Sequence, residues 1–234
     1  MKTRKLFIFF LLAFFTMGAD VAEVRSLDNI IAGDHRSEQN KSRDDQRHPK
    51  QTLEFFGIQP NMTVVEVWPS GGWYTEILAP YLNEDGQYIS ASFDFKSDSA
   101  FIQRVAKIFL GKLEKRPDLY SNVKHGVLML PDNINVADPN TVDMVLTFRN
   151  IHNWMARGQE RIAIKAFYDM LKPGGILGVV EHRGDESVPQ DPASKSGYVN
   201  ESYMVQIAKE AGFILDASSE INANSLDAKK HAEG

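Results

Sequence analysis

Apolar and polar positions along this chain fall into blocks whose period changes from one block to the next. Thr63 to Trp68 is a short β-branched run that reads as a strand. Pro69-Ser70-Gly71-Gly72 breaks it. Trp73, Ile77 and Tyr81 then recur every fourth residue, so a helix is expected to begin at the glycines. Gln87 to Phe93, ending in Asp94, predicts a second strand. Ser99 to Leu113 is amphipathic, with Phe101, Val105, Ile108, Phe109 and Leu113 on one helical face. Gly126 to Leu130 and Val142 to Phe148 supply a third and a fourth strand. A helix over roughly 160–171 stops at Lys172-Pro173-Gly174-Gly175. Ile176 to Val180 follows as a continuously apolar fifth strand, expected to be buried on both faces. Arg183 to Val199 is polar and carries two prolines, which suits a lid, a binding loop or disorder. Asn200 then opens a helix through Ala211, Gly212 ends it, and Phe213-Ile214-Leu215 starts a sixth strand.

Strands alternating with helices in this way predict an α/β fold, a doubly wound and mostly parallel sheet. Such sheets bind ligands beyond the carboxyl ends of their strands, where the strand order reverses. The flanks differ from this core. Ser26 to Lys50 is charge-dense, with Arg36, Lys41, Arg43, Asp44, Asp45 and Arg47, and reads as a partly helical leader over the domain. Its charges are expected to be mostly solvated, with local ion pairs. Lys2, Arg4 and Lys5 precede an unbroken apolar run from Leu6 to Phe15, then Gly18 and Ala19, which is the layout of a secretory signal peptide. The uncharged stretch Leu6 to Ala19 has 14 residues, short of the roughly 20 that span a bilayer. The chain is thus divided into a signal peptide (1–19), a polar leader (20–51), the α/β domain (52–222) and a polar tail (223–234).

Composition narrows the chemistry. Of 234 residues 43% are hydrophobic and 24% charged, as in an ordinary globular protein, and there is no cysteine. Disulfides, thiolate metal sites and a cysteine nucleophile are therefore excluded. The net charge is −5; without residues 1–19 it becomes −8, from 23 basic and 31 acidic residues, which disfavours nucleic acid as a partner. An exported protein with a small-molecule partner, no nucleic acid and no membrane contact after signal removal is expected, in the periplasm or outside the cell.

The strand exits carry the candidate residues. The first leaves Glu66 ahead of Trp68-Pro69-Ser70-Gly71-Gly72, a turn that points backbone N–H groups at a ligand. It lacks the G-x-G-x-x-G spacing of dinucleotide enzymes, and no Walker-type Gly-Lys-Ser/Thr occurs. Asp94 closes the second strand, where a carboxylate can accept ribose hydroxyls, and Asp132 follows the third. The fourth runs into Arg149-Asn150-Ile151-His152-Asn153-Trp154 and the fifth into Glu181-His182-Arg183. Trp68, Trp73 and Trp154 all fall at these exits and could line an aromatic pocket for a planar or cationic ligand. No metal is expected: the spacings of H-x-x-x-H and H-E-x-x-H are missing, and Glu181 and His182 point to opposite sides of a strand.

The run Val64 to Leu78 resembles the first motif of class I S-adenosylmethionine-dependent methyltransferases. It is more narrowly similar to an exported bacterial group with a Trp-Pro-x-Gly-Gly-Trp-Tyr-Thr-Glu signature. Thr147 to Trp154, Leu171 to Gly175, Glu181-His182, Arg43-Asp44 and Arg47-His48-Pro49 are similar to that group too, so the likeness spans about residues 35 to 225. It implies a Rossmann-like methyltransferase topology and S-adenosylmethionine as cofactor. Cofactor contacts then fall to Glu66, Trp68, Ser70, Gly71, Gly72, Asp94, Asp132 and Arg149. Arg149, Asn150, His152 and Asn153 would face the methyl group and the acceptor, with His152 as first choice of base, Glu181 or His182 second, and Asn150 in the catalytic set. Two features depart from the general pattern. Trp68 and Ser70 replace its first two glycines, and no seventh strand follows Leu215, leaving the carboxyl-terminal hairpin incomplete. Because S-adenosylmethionine is made in the cytoplasm and the signal exports this chain, the alternative expectation is a non-catalytic small-ligand-binding module that keeps the fold.

Overall fold

The computed structural model describes residues 26–229; the expected signal peptide lies outside the described residues. Its sheet contains β1 (Thr63–Val67), β2 (Gln87–Ser92), β3 (Lys124–Val127), β4 (Val142–Phe148) and β5 (Leu171–Val180). The strand order is β3-β2-β1-β4-β5 and every neighbouring pair is parallel. Strand order reverses between β1 and β4, so the crevice between them is where a ligand is expected. Four short helices precede the sheet: α1 (Leu27–Ala32), α2 (Glu38–Lys41), α3 (Asp44–Arg47) and α4 (Pro49–Phe55). The crossovers are α5 (Thr75–Leu82), α6 (Ala100–Lys115), α7 (Pro117–Tyr120), α8 (Ile151–Met155) and α9 (Glu160–Met170), and α10 (Glu201–Ala211) follows the sheet. No helix among the described residues is long and apolar enough to cross a membrane.

The two-residue period of β1 sorts its side chains into two cores. Val65 and Val67 pack with Val145, Trp154, Ala163 and Phe167 on one face. Val64 packs with Leu53, Ile77, Leu78, Tyr88 and Leu146 on the other, and Glu66 shares that second face. Because both faces are covered, β1 and β4 read as near-continuous apolar runs. The amphipathic helix is where expected, but its buried face is turned by one residue. Ile102, Val105, Ala106 and Phe109 face the core while Phe101 and Ile108 are 52% and 54% exposed. Taking Ile102 and Ala106 inward keeps Lys112 aligned with Gly72 and Glu76, whose oxygens it binds.

Three further expectations are corrected. The helix after β1 starts at Thr75, three residues past the glycines. The fifth strand is an edge strand, with Ile176 exposed, because no sixth strand pairs with it among the described residues. Lys172 to Gly175 bulge out of its register, which jumps from Val142↔Leu171 to Met144↔Ile176. Phe213 to Leu215 form no strand: the chain leaves α10 through Gly212, Phe213 packs edge-on against Tyr168, and Ile214 is 90% exposed.

The leader is not a solvated layer. Arg36 is 2% exposed, and its two terminal nitrogens donate to both oxygens of Asp44 at 2.7 and 2.8 Å. Its Nε lies 3.7 Å from Glu76 of α5. Glu76 also accepts from Asn40 at 2.8 Å and from Lys112 of α6. One buried carboxylate therefore joins the leader, α5 and α6. The Trp73 indole donates to Asn40 O at 3.0 Å, and α4 lays Phe56 over Gly178 of β5, where any Cβ would meet that ring at 3.0 Å. Removing one partner from a buried ion pair costs about 3 kcal/mol or more. Arg36→Met is accordingly expected to lower the unfolding free energy by that amount, read as a lower urea midpoint at unchanged slope, and to open residues 26–60 to limited proteolysis. An unchanged midpoint and cleavage pattern would mean that the leader is not held by this pair.

Candidate functional site

At the exit of β1 the chain turns through three left-handed residues in alternation: Trp68 at φ 48°, Ser70 at φ 51° and Gly72 at φ 74°. Only the last is a glycine. For the other two this conformation costs roughly 1–2 kcal/mol each, so neighbours must hold it. Trp68 N donates to Ala91 O at 2.7 Å, its indole Nε1 to Leu128 O at 3.3 Å, and Lys112 Nζ to Gly72 O at 2.9 Å. A Cβ at Gly72 would sit 3.2 Å from Thr75 and 3.3 Å from Phe109, so that position also needs its missing side chain. The Trp68 indole is drawn aside onto Phe93 (centroids 5.1 Å apart) and Trp154 (5.3 Å), while the turn residues Ser70 and Gly71 stay exposed.

Beneath the turn Glu66 is fully buried. Its Oε2 accepts from Tyr88 Oη at 2.6 Å and from Thr75 Oγ1 at 3.1 Å, and Oε1 has no partner among the described residues. Burial pushes its carboxyl up to about 7, with Tyr88, Thr75, Lys112 and Arg47 pulling the other way. Tyr88 pairs in register with Val64, so it shares the face of Glu66. The sequence reading missed both hydroxyl partners; strand parity was the available signal for Tyr88.

The other exits supply distinct groups. Asp94, just past β2, accepts from Lys96 N at 2.9 Å through Oδ1, and its Oδ2 is unpartnered among the described residues. Asp132 is exposed in the loop closed by the Met129–Asn133 bridge. The loop's Leu128 O touches the Trp68 indole, and among the described residues the Asp132 carboxylate has no hydrogen bond or ion pair. Asn150 is buried, and its amide nitrogen donates to Val67 O at 3.0 Å and Thr147 Oγ1 at 3.2 Å. It ties β4 to β1, and its amide is committed to that tether. Arg149 is exposed at φ 62°, pinned by its N–H to Val180 O at 2.7 Å.

His152 and Glu181 meet across the ends of β4 and β5. The ring Nδ1 lies 3.0 Å from Glu181 Oε1, while Oε2 accepts from Ile151 N at 2.8 Å. His182 N also donates to Oε1, at 2.9 Å. With Nδ1 as donor, the imidazole is fixed in the tautomer that leaves Nε2 an acceptor, and the exposed Asn153 amide reaches that atom at 3.1 Å. A base oriented by a carboxylate is the arrangement that proton abstraction needs. His182, behind it, is held low by burial and then by Arg149, and its Nε2 is buried with no hydrogen-bond partner among the described residues. A groove of about 1220 Å³ along the outer edge of β5 reaches Glu181 and His182 at one end.

The three tryptophans do not form one open pocket. Trp154 is fully buried in the core, and Trp73 is covered by Arg36 and Arg47, whose guanidinium carbons lie 5.2 and 4.6 Å from its ring centre. Only Trp68 remains half-buried. Arg47 is a site residue that sequence reasoning left in a solvated leader, because a charge run does not tell which member will land on an aromatic ring.

The fold is shared with solved structures. One is a SAM dependent methyltransferase from Aquifex aeolicus, at 20% identity over 80% of this chain and 88% of that one, TM-score 0.57. Another is the cyclase SpnF, at 17% identity over 81% of this chain and 68% of that one, TM-score 0.54. A third is phosphoethanolamine N-methyltransferase 2 from Haemonchus contortus, in complex with S-adenosyl-L-methionine, at 17% identity, 81% of this chain, 42% of that one and TM-score 0.54. No family model and no curated protein matches the chain. The sheet and its helices are thus those of the Rossmann-like methyltransferase fold.

Glu66 gives the site a pH signature. An ordinary carboxyl loses its proton near 4.5, and this one keeps it to about 7 in the folded chain. The stabilisation from holding that proton is complete below about 4.5 and is lost as pH rises to 7. At about 1.4 kcal/mol per unit the loss reaches roughly 3 kcal/mol. Glu66→Gln, which needs no proton to stay neutral, is expected to match the parent in thermal unfolding near pH 5 and to exceed it at pH 8. A difference that stays constant across this range would contradict the assignment.

Proposed function

We propose that the protein is an S-adenosylmethionine-dependent methyltransferase acting on a small-molecule acceptor. The fold alone does not decide this, since a cyclase shares it. The observation that carries the reading is the turn from Trp68 to Gly72. It is left-handed at all three alternate positions although only Gly72 is a glycine. Strain retained without the residues that would relieve it marks a turn whose shape is used.

The donor set fits the cofactor. The open Oε1 of Glu66 can take the amino group of the methionine moiety, and the exposed backbone of Ser70 and Gly71 lies beside it. The open Oδ2 of Asp94 can accept from the ribose hydroxyls. Trp68 and Phe93, stacked at the exits of the same two strands, offer flat apolar surface. Bound there, S-adenosylmethionine supplies a methyl group on a cationic sulfur. The chain's own contribution is placement and one proton: Glu181 holds His152, and His152 Nε2 takes a proton from an oxygen or carbon acceptor once Asn153 gives way.

Calorimetry on the purified protein tests this directly. S-adenosylmethionine and S-adenosylhomocysteine are expected to bind, and Asp94→Asn to weaken both about tenfold. His152→Ala is expected to keep binding and to lose turnover in an acceptor screen. An intact fold with no binding of either ligand would leave a module for some other small ligand.

We also propose that the protein acts outside the cytoplasm. This is supported by Lys2, Arg4 and Lys5 ahead of the apolar run Leu6 to Phe15. Residues 1–25 fused to alkaline phosphatase are expected to deliver active enzyme to the bacterial periplasm; phosphatase confined to the cytoplasm would refute export.

A further inference from the structure

Three arginines of the leader and the β4 exit have no paired carboxylate among the described residues, and the charges of Arg43 and Arg149 both act on Arg47. Arg43 and Arg47 stand four residues apart across α3, with Arg47 N donating to Arg43 O at 3.1 Å, so their side chains share one helix face. The Arg47 guanidinium lies over Trp73, 4.6 Å from the ring centre. Trp73 meets Tyr74 edge-on at 4.6 Å, and Tyr74 stacks on Phe148 at 3.7 Å and 11°. The next residue is Arg149, pinned in a left-handed conformation at the end of β4, three positions before His152. A rigid aromatic stack therefore links the leader arginines to the one at the strand exit.

Their environment is unusual for arginine. Among the described residues no carboxylate lies within ion-pair distance of any of the three, although every other buried or half-buried cation around Trp73 is paired. Arg36 holds Asp44 with two hydrogen bonds and Lys112 holds Glu76. Asp44 attracts Arg47 but is already engaged by Arg36. Arg47 is half-buried, and burial followed by the like charge of Arg43 and then of Arg149 pulls it down to about 10. Tyr74, Asp44 and Glu66 face it with the opposite tendency without outweighing these. Three like charges at one rim, with Arg47 half-buried and Arg43 and Arg149 exposed, repel one another and are relieved when an anion joins them.

We propose that Arg43, Arg47 and Arg149 form an oxyanion-binding site that anchors a doubly charged group of the acceptor, a phosphate monoester or a dicarboxylate. This inference rests on the methyltransferase reading for the word acceptor; the anion site itself does not need it. With the anionic end held at the arginines, the other end of a small molecule lies along the β4 exit towards His152. Arginine suits that role, since its planar fork binds such oxygens in pairs.

The test is isothermal titration calorimetry of the full chain with inorganic phosphate and, separately, succinate at low ionic strength. S-adenosylhomocysteine is titrated into the same samples. Phosphate or succinate is expected to bind, and Arg47→Gln and Arg149→Asn each to weaken that binding at least tenfold; Arg43→Gln is expected to weaken it less. Asn tolerates the left-handed backbone at 149, and Arg149 is exposed, so that variant keeps its fold even if loss of Arg47 loosens the leader. Lys209→Gln, on the exposed face of α10, is expected to change nothing. Tighter binding of phosphate or of succinate tells which oxyanion is favoured, and either supports the site. Anion binding that is absent, or unaltered in both Arg47→Gln and Arg149→Asn, overturns the proposal whatever S-adenosylhomocysteine does. Loss of S-adenosylhomocysteine binding in the parent, with arginine-dependent anion binding intact, would instead sink the cofactor reading and leave the anion site standing.

Discussion

The turn between β1 and α5 has to redirect the chain within seven residues, and it does so through backbone conformations that Trp68 and Ser70 adopt only under constraint. Much of the surrounding structure supplies that constraint. Lys112 reaches from α6 to the carbonyl of Gly72, the Trp68 indole is tethered to the loop after β3, and the backbone of Trp68 continues the ladder to β2. The leader closes over the far side through Trp73 and Glu76. Glu66 lies directly beneath, saturated on one oxygen by Tyr88 and Thr75. A change to any of these supports acts on the turn before it acts on a ligand.

This dependence explains why a charge-dense, polar leader is built into the domain. Its buried members are few. Among the described residues Arg36 is the only leader arginine that is fully buried, and it is solvated by carboxylates, a backbone carbonyl and the Trp73 ring instead of by water. Such a pair adds little over well-packed apolar residues, but it fixes which leader segment sits against which helix. The result is a lid whose register is set by charge and whose contact is set by aromatic rings.

The layered fold was readable from periodicity because the central strands are covered on both faces and the crossover helices on one. Val64, Val65 and Val67 divide between two cores as alternation predicts, and the strand exits fall where the first polar residues appear. What stayed hidden depended on pairing across space. Nothing local separates Arg36 from Arg43 in a charge run, yet one is buried and the other exposed. Asn150 stood in a polar cluster that suggested chemistry, and its amide was needed to hold β4 to β1. The apolar triplet Phe213 to Leu215 promised a strand, but its neighbours gave Phe213 an aromatic ring to pack on instead of an edge to pair with.

The two halves of the candidate site offer opposite partners, acceptors in one and cationic donors in the other. Beyond β1 and β2 the open acceptors are the oxygens of Glu66 and Asp94, under the faces of Trp68 and Phe93. Beyond β4, and beneath the leader, the open donors are Arg43, Arg47 and Arg149. His152 and Glu181 occupy the far end of the same edge, where β4 and β5 finish. On the proposed reading, a cationic ligand with hydroxyls takes the first half and an anionic one the second. In a chain with an acidic surplus, a basic rim confined to one sheet edge is not a compositional accident but a placement made by the fold. Such separation lets one crevice hold two ligands in a set order, each repelled from the other's seat. The reversal of strand order between β1 and β4 is what makes room for both, since it parts the helices that would otherwise close the gap.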